Sequence, residues 1–576
     1  MYRKLVLLLI VVLLVPGAAS AQGPEPDRGS LGDSYYPALG NSGYDALHYT
    51  IDLSTELQGN DLAATVTMDA QATEALDRFN LDFQGFTIES LLLDGEPVDY
   101  ERDGTELVIV PAEPLAAGED FTLTTTYAGT AETITSSAIP VALGWQNFGD
   151  GVLVASEPSG AQGWYPVNNH PLDKATYTFR ITVPNPYVVA ANGLLTEQID
   201  NGDDTTTYVW ETEYPVASYL VTVGIDQFAV QEQEGPNGLP IRNYFPVDMA
   251  EQGEQAFART PDMIAFYESI FGPYPFEAYG VYVADTGLDF ALETQTLTLF
   301  ARNWLTSGDV DEAASHELAH QWFGNSVSLA KWEDIWLNEG FATYASWLWA
   351  AHNAGESALD NIVSNVYDAI QQFETAAEPQ GVLNYRVTKQ GLLDLLNDKP
   401  ADFTLPAEDV IALARLLLVD QPSDEVESMI AQMPTGDITR DELIQFLTLL
   451  NFDRVPLGPN EVWALATTFG VESSYPQYVD SPRLVWAAPG VAAPDDLFNV
   501  GVYYRGALVL HALRQEVGDD AFFEILRSYY DQYQYGNATI EDFIAVANDA
   551  SGQDVTDLLN AWLYAPLVPE LPGVTA

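Results

Sequence analysis

In the stretch SHELAHQWFGNSVSLAKWEDIWLNEGFATY, Ser315–Tyr344, two histidines stand four apart with a glutamate after the first. Helical spacing puts His316 and His320 on one face, where both imidazoles reach a single cation. Two neutral imidazoles and one carboxylate suit zinc and leave a fourth position for water, the arrangement of a catalytic metal site rather than a structural one. Glu317 is then the candidate general base, beside a water held at that position. The third ligand has to come from elsewhere. Glu339 lies on a second predicted helix, which a short connection can fold back against the first.

An HExxH pattern alone is moderately specific. Here the chain has six histidines in all, His48, His170, His316, His320, His352 and His511, so the pairing is not a by-product of abundance. The competing reading is a histidine pair satisfied within a packing face. It would strand Glu317 and Glu339 among Trp322, Phe323, Trp336, Leu337 and Phe341, where lone carboxylates are unfavourable.

The chain that positions these groups has 576 residues, enough for three to four domains. It opens with Arg3 and Lys4, an apolar run over residues 5–15 and the small-residue site Ala19-Ser20-Ala21. This reads as a signal peptide over residues 1–21, with the exported chain starting at Gln22 and left in an extracellular or cell-envelope compartment. The run is short for a membrane anchor, and no later segment reads as a membrane span. There is no cysteine, which removes disulfides, thiolate ligands and a cysteine nucleophile. A formal charge of −63 argues against nucleic acid and anionic membranes as partners and reads first as a solvated acidic surface.

Residues 22–40, rich in Gly, Pro and Ser, read as a flexible leader. Residues 41–231 alternate with period two in short runs such as HYTIDLSTEL and ATYTFRITVP, which predicts an N-terminal antiparallel β domain. Residues 232–375 mix strand and helix signals and hold the motif, as the first part of a catalytic domain. Residues 376–480 read as consecutive short amphipathic helices, an inserted all-α segment. GDITRDEL within it resembles the end of an EF-hand loop, but the early ligand positions Ala431, Met433 and Thr435 supply no carboxylate, so calcium is not expected there. Residues 481–576 return to longer helices and complete the catalytic domain.

HELAHQWFGN followed by WEDIWLNEGFATY resembles the aminopeptidase N family of zinc metallopeptidases, whose signature is HExxH, eighteen residues and Glu; residues 321–338 supply the eighteen. The resemblance runs through LGNSGYDALHYTIDL, GWYPVNNHPLDKATYTFRITVP and VYYRGALVLHALR and covers about residues 36–365 and 497–565, leaving the insert without a counterpart. It implies an α+β thermolysin-like catalytic domain behind the β domain, and one zinc per chain on His316, His320 and Glu339. It also implies a catalytic tyrosine at Tyr503, with Tyr504 as rival, from Tyr503-Tyr504-Arg505-Gly506 in place of Tyr-x-Lys-Gly. Phe290-Ala291-Leu292-Glu293-Thr294 stands where the family has Gly-x-Met-Glu-Asn, so Glu293 would bind the substrate's α-amine while the rest of that motif has changed. Glu157, in ASEPSGAQGWYP, is the match for a second amine-binding carboxylate.

The resemblance therefore implies an exported zinc aminopeptidase acting on peptides with a free N-terminus. Asp334 and Asn338 are candidates to support the zinc ligands. The rivals are an endopeptidase on the same machinery, a hydrolase of non-peptide substrates, and a catalytically silent peptide-binding protein.

Overall fold

Alternation along Tyr44–Ser54 buries Tyr44 and Ala46, then slips by one and buries Tyr49, Ile51 and Leu53. The slip is a bulge against the neighbouring strand between Ala46 and His48. In the computed structural model, which describes residues 29–572 apart from 140, 150, 287–289, 307–309, 378–382, 419–420, 422, 432, 434–435, 483 and 485, this strand sits in an eight-stranded sheet. Its other neighbour, Thr176–Pro184, runs parallel to it, whereas the remaining pairs of this sheet are antiparallel. Side-chain periodicity carries no strand direction, so the expected antiparallel domain has one parallel pair that the pattern did not distinguish.

A five-stranded sheet lies beside it. Its strand Val152–Ala155 is buried at every residue and runs directly into Ser156 and Glu157. Phe228–Glu234 begins a further five-stranded sheet, completed by Pro240–Pro246, Tyr279–Ala284, Thr298–Ala301 and the short edge strand Ala291–Leu292. The edge strand delivers Glu293. Beyond it come the motif helix Val310–Ala319, the helix Trp336–Ala354 that carries Glu339, and the helix Gly506–Val517. Trp322, Trp332, Trp336, Trp347 and Trp349 are buried around these helices and fix their spacing.

Lys174 ties the parts together. Its amine donates to the carbonyls of Asn325 (3.2 Å), Ser326 (3.0 Å) and Gly536 (2.9 Å), so one half-buried side chain joins the β domain to both parts of the catalytic domain. The second half of the expected leader is also pinned. Asp33 Oδ2 accepts from the backbone N–H of Trp332 at 2.9 Å and lies 3.3 Å from His170 Nε2, both groups being buried. A Gly/Pro/Ser-rich composition signals irregular backbone, and here Asp33 helps hold it with four partners, Trp332, His170 and the backbone N–H groups of Tyr35 and Tyr36. Residues 1–21, expected to be a signal peptide, lie outside the described residues. Among the described residues no helix is long and apolar enough to cross a membrane.

The insert has its own core, including Leu392, Leu396, Val410, Leu443, Val462 and Phe469. Its amphipathic helices are joined by small ladders that helical periodicity does not reveal, among them Leu405 opposite Ile438. Glu442, the closing position of the EF-hand-like loop, instead accepts from the Thr439 N–H (2.9 Å) and hydroxyl (2.8 Å) and caps its own helix.

One buried histidine gives the fold a pH dependence. His511 Nδ1 meets the Tyr344 hydroxyl at 3.1 Å. Burial first, and the Arg514 charge second, push its pKa down to about 4, against the opposing pull of Asp360 and Asp519. Above pH 6.5 the ring is neutral folded or unfolded; between 6.5 and 4 only the unfolded chain takes the proton. Stability therefore falls on acidification through that window, by about 3 kcal/mol from this group. His511→Gln is expected to flatten that part of the pH–stability curve, read by chemical denaturation between pH 7.5 and 4.5; an unchanged slope would show that the group contributes nothing.

Candidate active site

The motif helix presents His316 and His320 to the first turn of the helix that carries Glu339. The three facing atoms form a closed triangle: His320 Nε2 to His316 Nε2 is 3.1 Å, His316 Nε2 to Glu339 Oε2 is 3.3 Å, and His320 Nε2 to Glu339 Oε2 is 3.5 Å. A tetrahedral zinc with bonds of about 2.0–2.1 Å has ligand-to-ligand edges of about 3.3 Å. The triangle fits that edge length, and two imidazole nitrogens converging beside a carboxylate suit a shared cation. The same residues are brought together as a possible metal-holding group, all donor atoms within 4.8 Å.

Second contacts orient these donors. His320 Nδ1 donates to the Phe323 carbonyl at 3.1 Å, which leaves the Nε2 lone pair for a metal. Neither residue expected to support the ligands does so by hydrogen bonding to them. Asn338 donates to the Tyr219 hydroxyl at 3.2 Å, and Asp334 interacts with Glu541, Glu333 and Lys331. The supporting group is a main-chain carbonyl on the turn after the motif, which residue type cannot announce.

Around the triangle stand three more buried carboxylates, Glu157, Glu293 and Glu317. Glu317 lies within 4.8 Å of His320 and Glu293 by their donor atoms, and Glu157, Glu293 and Glu339 form a second such group. Glu157 and Glu293 each hold a buried Oε1 with no hydrogen-bond partner. Burial, and then the neighbouring carboxylates, push Glu157 well above the usual carboxyl range; burial does the same to Glu317 against the pull of His320. A site with this much crowded negative charge is built to receive cations.

Glu293 is held although its motif neighbours have changed. Its carbonyl accepts from Asn325 Nδ2 at 2.6 Å and Gln321 Nε2 at 3.2 Å, both just past the motif helix. Gln321 Oε1 in turn accepts from the Thr296 N–H at 3.0 Å. The main chain is thus locked from the metal side, which frees the flanking side chains to be Phe290, Leu292 and Thr294.

Tyr503 sits on a wide π-type turn, Gly501–Arg505, at the start of the helix Gly506–Val517. Its ring lies 5.9 Å from that of His316, inclined 20°. Burial, with Glu339, Glu157, Glu293 and Glu317 adding to it, pushes the phenol pKa well up, so the group keeps its proton as a donor. Tyr504 faces away, toward Trp347 and Trp486, and is 37% exposed. Two glycines set the approach. A Cβ on Gly340, next to Glu339, would meet the main chain of Gly506 at 3.0 to 3.2 Å, so the Glu339 helix and the Tyr503 turn touch backbone to backbone. Arg505 is fully buried and donates to the carbonyls of Trp562 (3.4 Å), Ala565 (2.6 Å) and Leu567 (3.2 Å), anchoring the turn to the C-terminal segment.

Two family models match this chain. The Peptidase family M1 domain matches residues 255–390 and 483–562, and the Peptidase M1 N-terminal domain matches residues 45–220. Between them they take in about two thirds of the sequence and the whole site. The chain belongs to the M1 peptidase family, that of aminopeptidase N. The interruption in the M1 catalytic match falls on the insert. The chain is similar to an M1 zinc metallopeptidase from Deinococcus radiodurans, solved as a glutamate-to-alanine variant bound to a Tyr-Ser-Ala substrate. They are 27% identical with a TM-score of 0.65, over 94% of this chain and 99% of that one. Aminopeptidase M1 from Arabidopsis thaliana is 25% identical over 70% of this chain, and human glutamyl aminopeptidase is 30% identical over 35% of it. This M1 chain spans 36% of the length of the first of these and 22% of the second. The M1 assignment agrees with the ligand triangle: zinc is the metal of the Deinococcus protein and the metal this donor set fits.

Proposed function

We propose that the protein is an exported zinc aminopeptidase that removes the N-terminal residue from peptides. The observation that carries this is the pair of unpartnered, buried carboxylate oxygens of Glu157 and Glu293 beside the His316–His320–Glu339 triangle. Two acceptors clasp one α-ammonium by charge-assisted hydrogen bonds and so hold the first peptide bond over the metal position. Zinc bound there supplies Lewis acidity and a water of near-neutral pKa. Glu317 takes the proton of the attacking water and delivers it to the departing amine. Tyr503 donates a hydrogen bond to the carbonyl oxygen as negative charge develops on it.

The test is acetylation. Blocking the α-amine of a good peptide substrate removes the charge that Glu157 and Glu293 hold, and kcat/KM is expected to fall at least about a hundredfold, as for loss of a charge-assisted contact in a buried site. Equal rates on free and acetylated peptide would overturn this assignment in favour of an endopeptidase. Export is supported by the charged start, apolar run and small-residue site over residues 1–21. N-terminal sequencing of protein recovered outside the cytoplasm is expected to begin at Gln22; a retained Met1 would rule cleavage out.

A further inference from the structure

The cavity that contains Glu157 and Glu293 has a volume of about 240 Å³. That is small for a ligand pocket, with room for one residue and little more. Apart from the catalytic and amine-facing groups already named, its walls are apolar: Ile139, Val141 and Leu143 from the β domain, Phe290 and Leu292 from the edge strand and its approach, and Phe498 from the second part of the catalytic domain. Among the described residues, no lysine or arginine lines it. A second cavity, of about 340 Å³, shares Ala291, His316, Glu317 and Tyr503 with the first and opens on their far side past Trp304 and Thr343. The scissile bond belongs at the shared residues, so the first cavity takes the residue before that bond and the second takes the chain after it.

From this wall chemistry we infer that the enzyme selects peptides whose first residue is a bulky apolar one, such as leucine, methionine or phenylalanine. The inference rests on the aminopeptidase reading. An acidic first residue would bring its carboxylate into a cavity lined by Glu157, Glu293, Glu317 and Glu339, with no lysine or arginine among the described residues to meet it. A lysine or arginine whose α-amine is held by Glu157 and Glu293 would press its second charge among Ile139, Val141, Phe290 and Phe498, whose side chains offer no acceptor. Alanine fits but leaves the apolar walls unfilled, losing several methylenes' worth of burial. Val141, only partly buried, is a wall residue that a longer side chain can replace without disturbing a core.

The experiment compares kcat/KM for aminoacyl fluorogenic amides of leucine, phenylalanine, alanine, arginine and aspartate, with N-acetyl-leucyl amide alongside. Leucine and phenylalanine are expected to exceed alanine about tenfold or more, and arginine and aspartate about a hundredfold or more. Free L-leucine should compete better than free L-arginine. Val141→Arg is expected to raise the aspartate rate relative to leucine about tenfold or more, by supplying the missing cation. Arginine or aspartate equal to leucine, with the acetylated amide inert, would overturn the inference and leave the aminopeptidase reading standing. An acetylated amide cleaved as fast as the free one would overturn that reading instead. If Val141→Arg does not fold, the wild-type rank order and the competition decide alone.

Discussion

Glu317→Gln is expected to lower kcat by about a thousandfold while leaving zinc at one per chain. The lost group is the proton carrier, and positioned general acid–base groups contribute about 10² to 10⁴ in rate. Glutamine keeps the shape and the buried position but takes no proton. The three metal-facing atoms belong to other residues, so metal content measured by atomic emission should not change. Peptide should still bind, because Glu157 and Glu293 are intact. Full activity in this variant would mean that the proton travels by another group. Loss of metal would mean that Glu317 acts on the site's assembly rather than on the reaction.

Tyr503→Phe is the second large effect, expected at about a hundredfold in kcat with KM little changed. Removal of one preorganised donor to a developing oxyanion lowers kcat by about 10² to 10³. The ring stays, so its packing beside His316 stays, and only the oxygen is lost. A fall in kcat with constant KM marks an interaction made in the transition state alone, whereas a purely structural defect would raise KM or lower the unfolding midpoint as well. Tyr504→Phe serves as the control. Its ring packs toward Trp347 and Trp486 and borders the second cavity, so its loss should fall on KM and leave kcat within about twofold.

Sequence and structure agree wherever the information is local. His316 and Glu317 lie on one helix whose last turn leads into His320, and a period of 3.6 residues fixes their faces without help from the rest of the chain. Glu339 needs only the next helix. Glu157 is different in kind. No spacing links residue 157 to residue 293, and only the β domain's buried strand Val152–Ala155 brings the two together. The walls of the first cavity are less legible still, since Ile139, Val141 and Phe498 are ordinary apolar residues until the fold turns them to one side. The support of His320 by a main-chain carbonyl has no signature in residue type, whereas Asp334 and Asn338 are visible by type and support nothing at the metal. Strand direction and the insert's small ladders escape for the same reason: alternation reports which face is buried and says nothing about which neighbour lies alongside.

The touching main chains at Gly340 and Gly506 make the gap between phenol and metal position a property of two missing methyl groups. A methyl at either place would act as a wedge, prising Tyr503 from the imidazoles without altering any atom that meets the peptide. The tempo of the reaction is thereby tied to how closely two bare stretches of backbone can nestle.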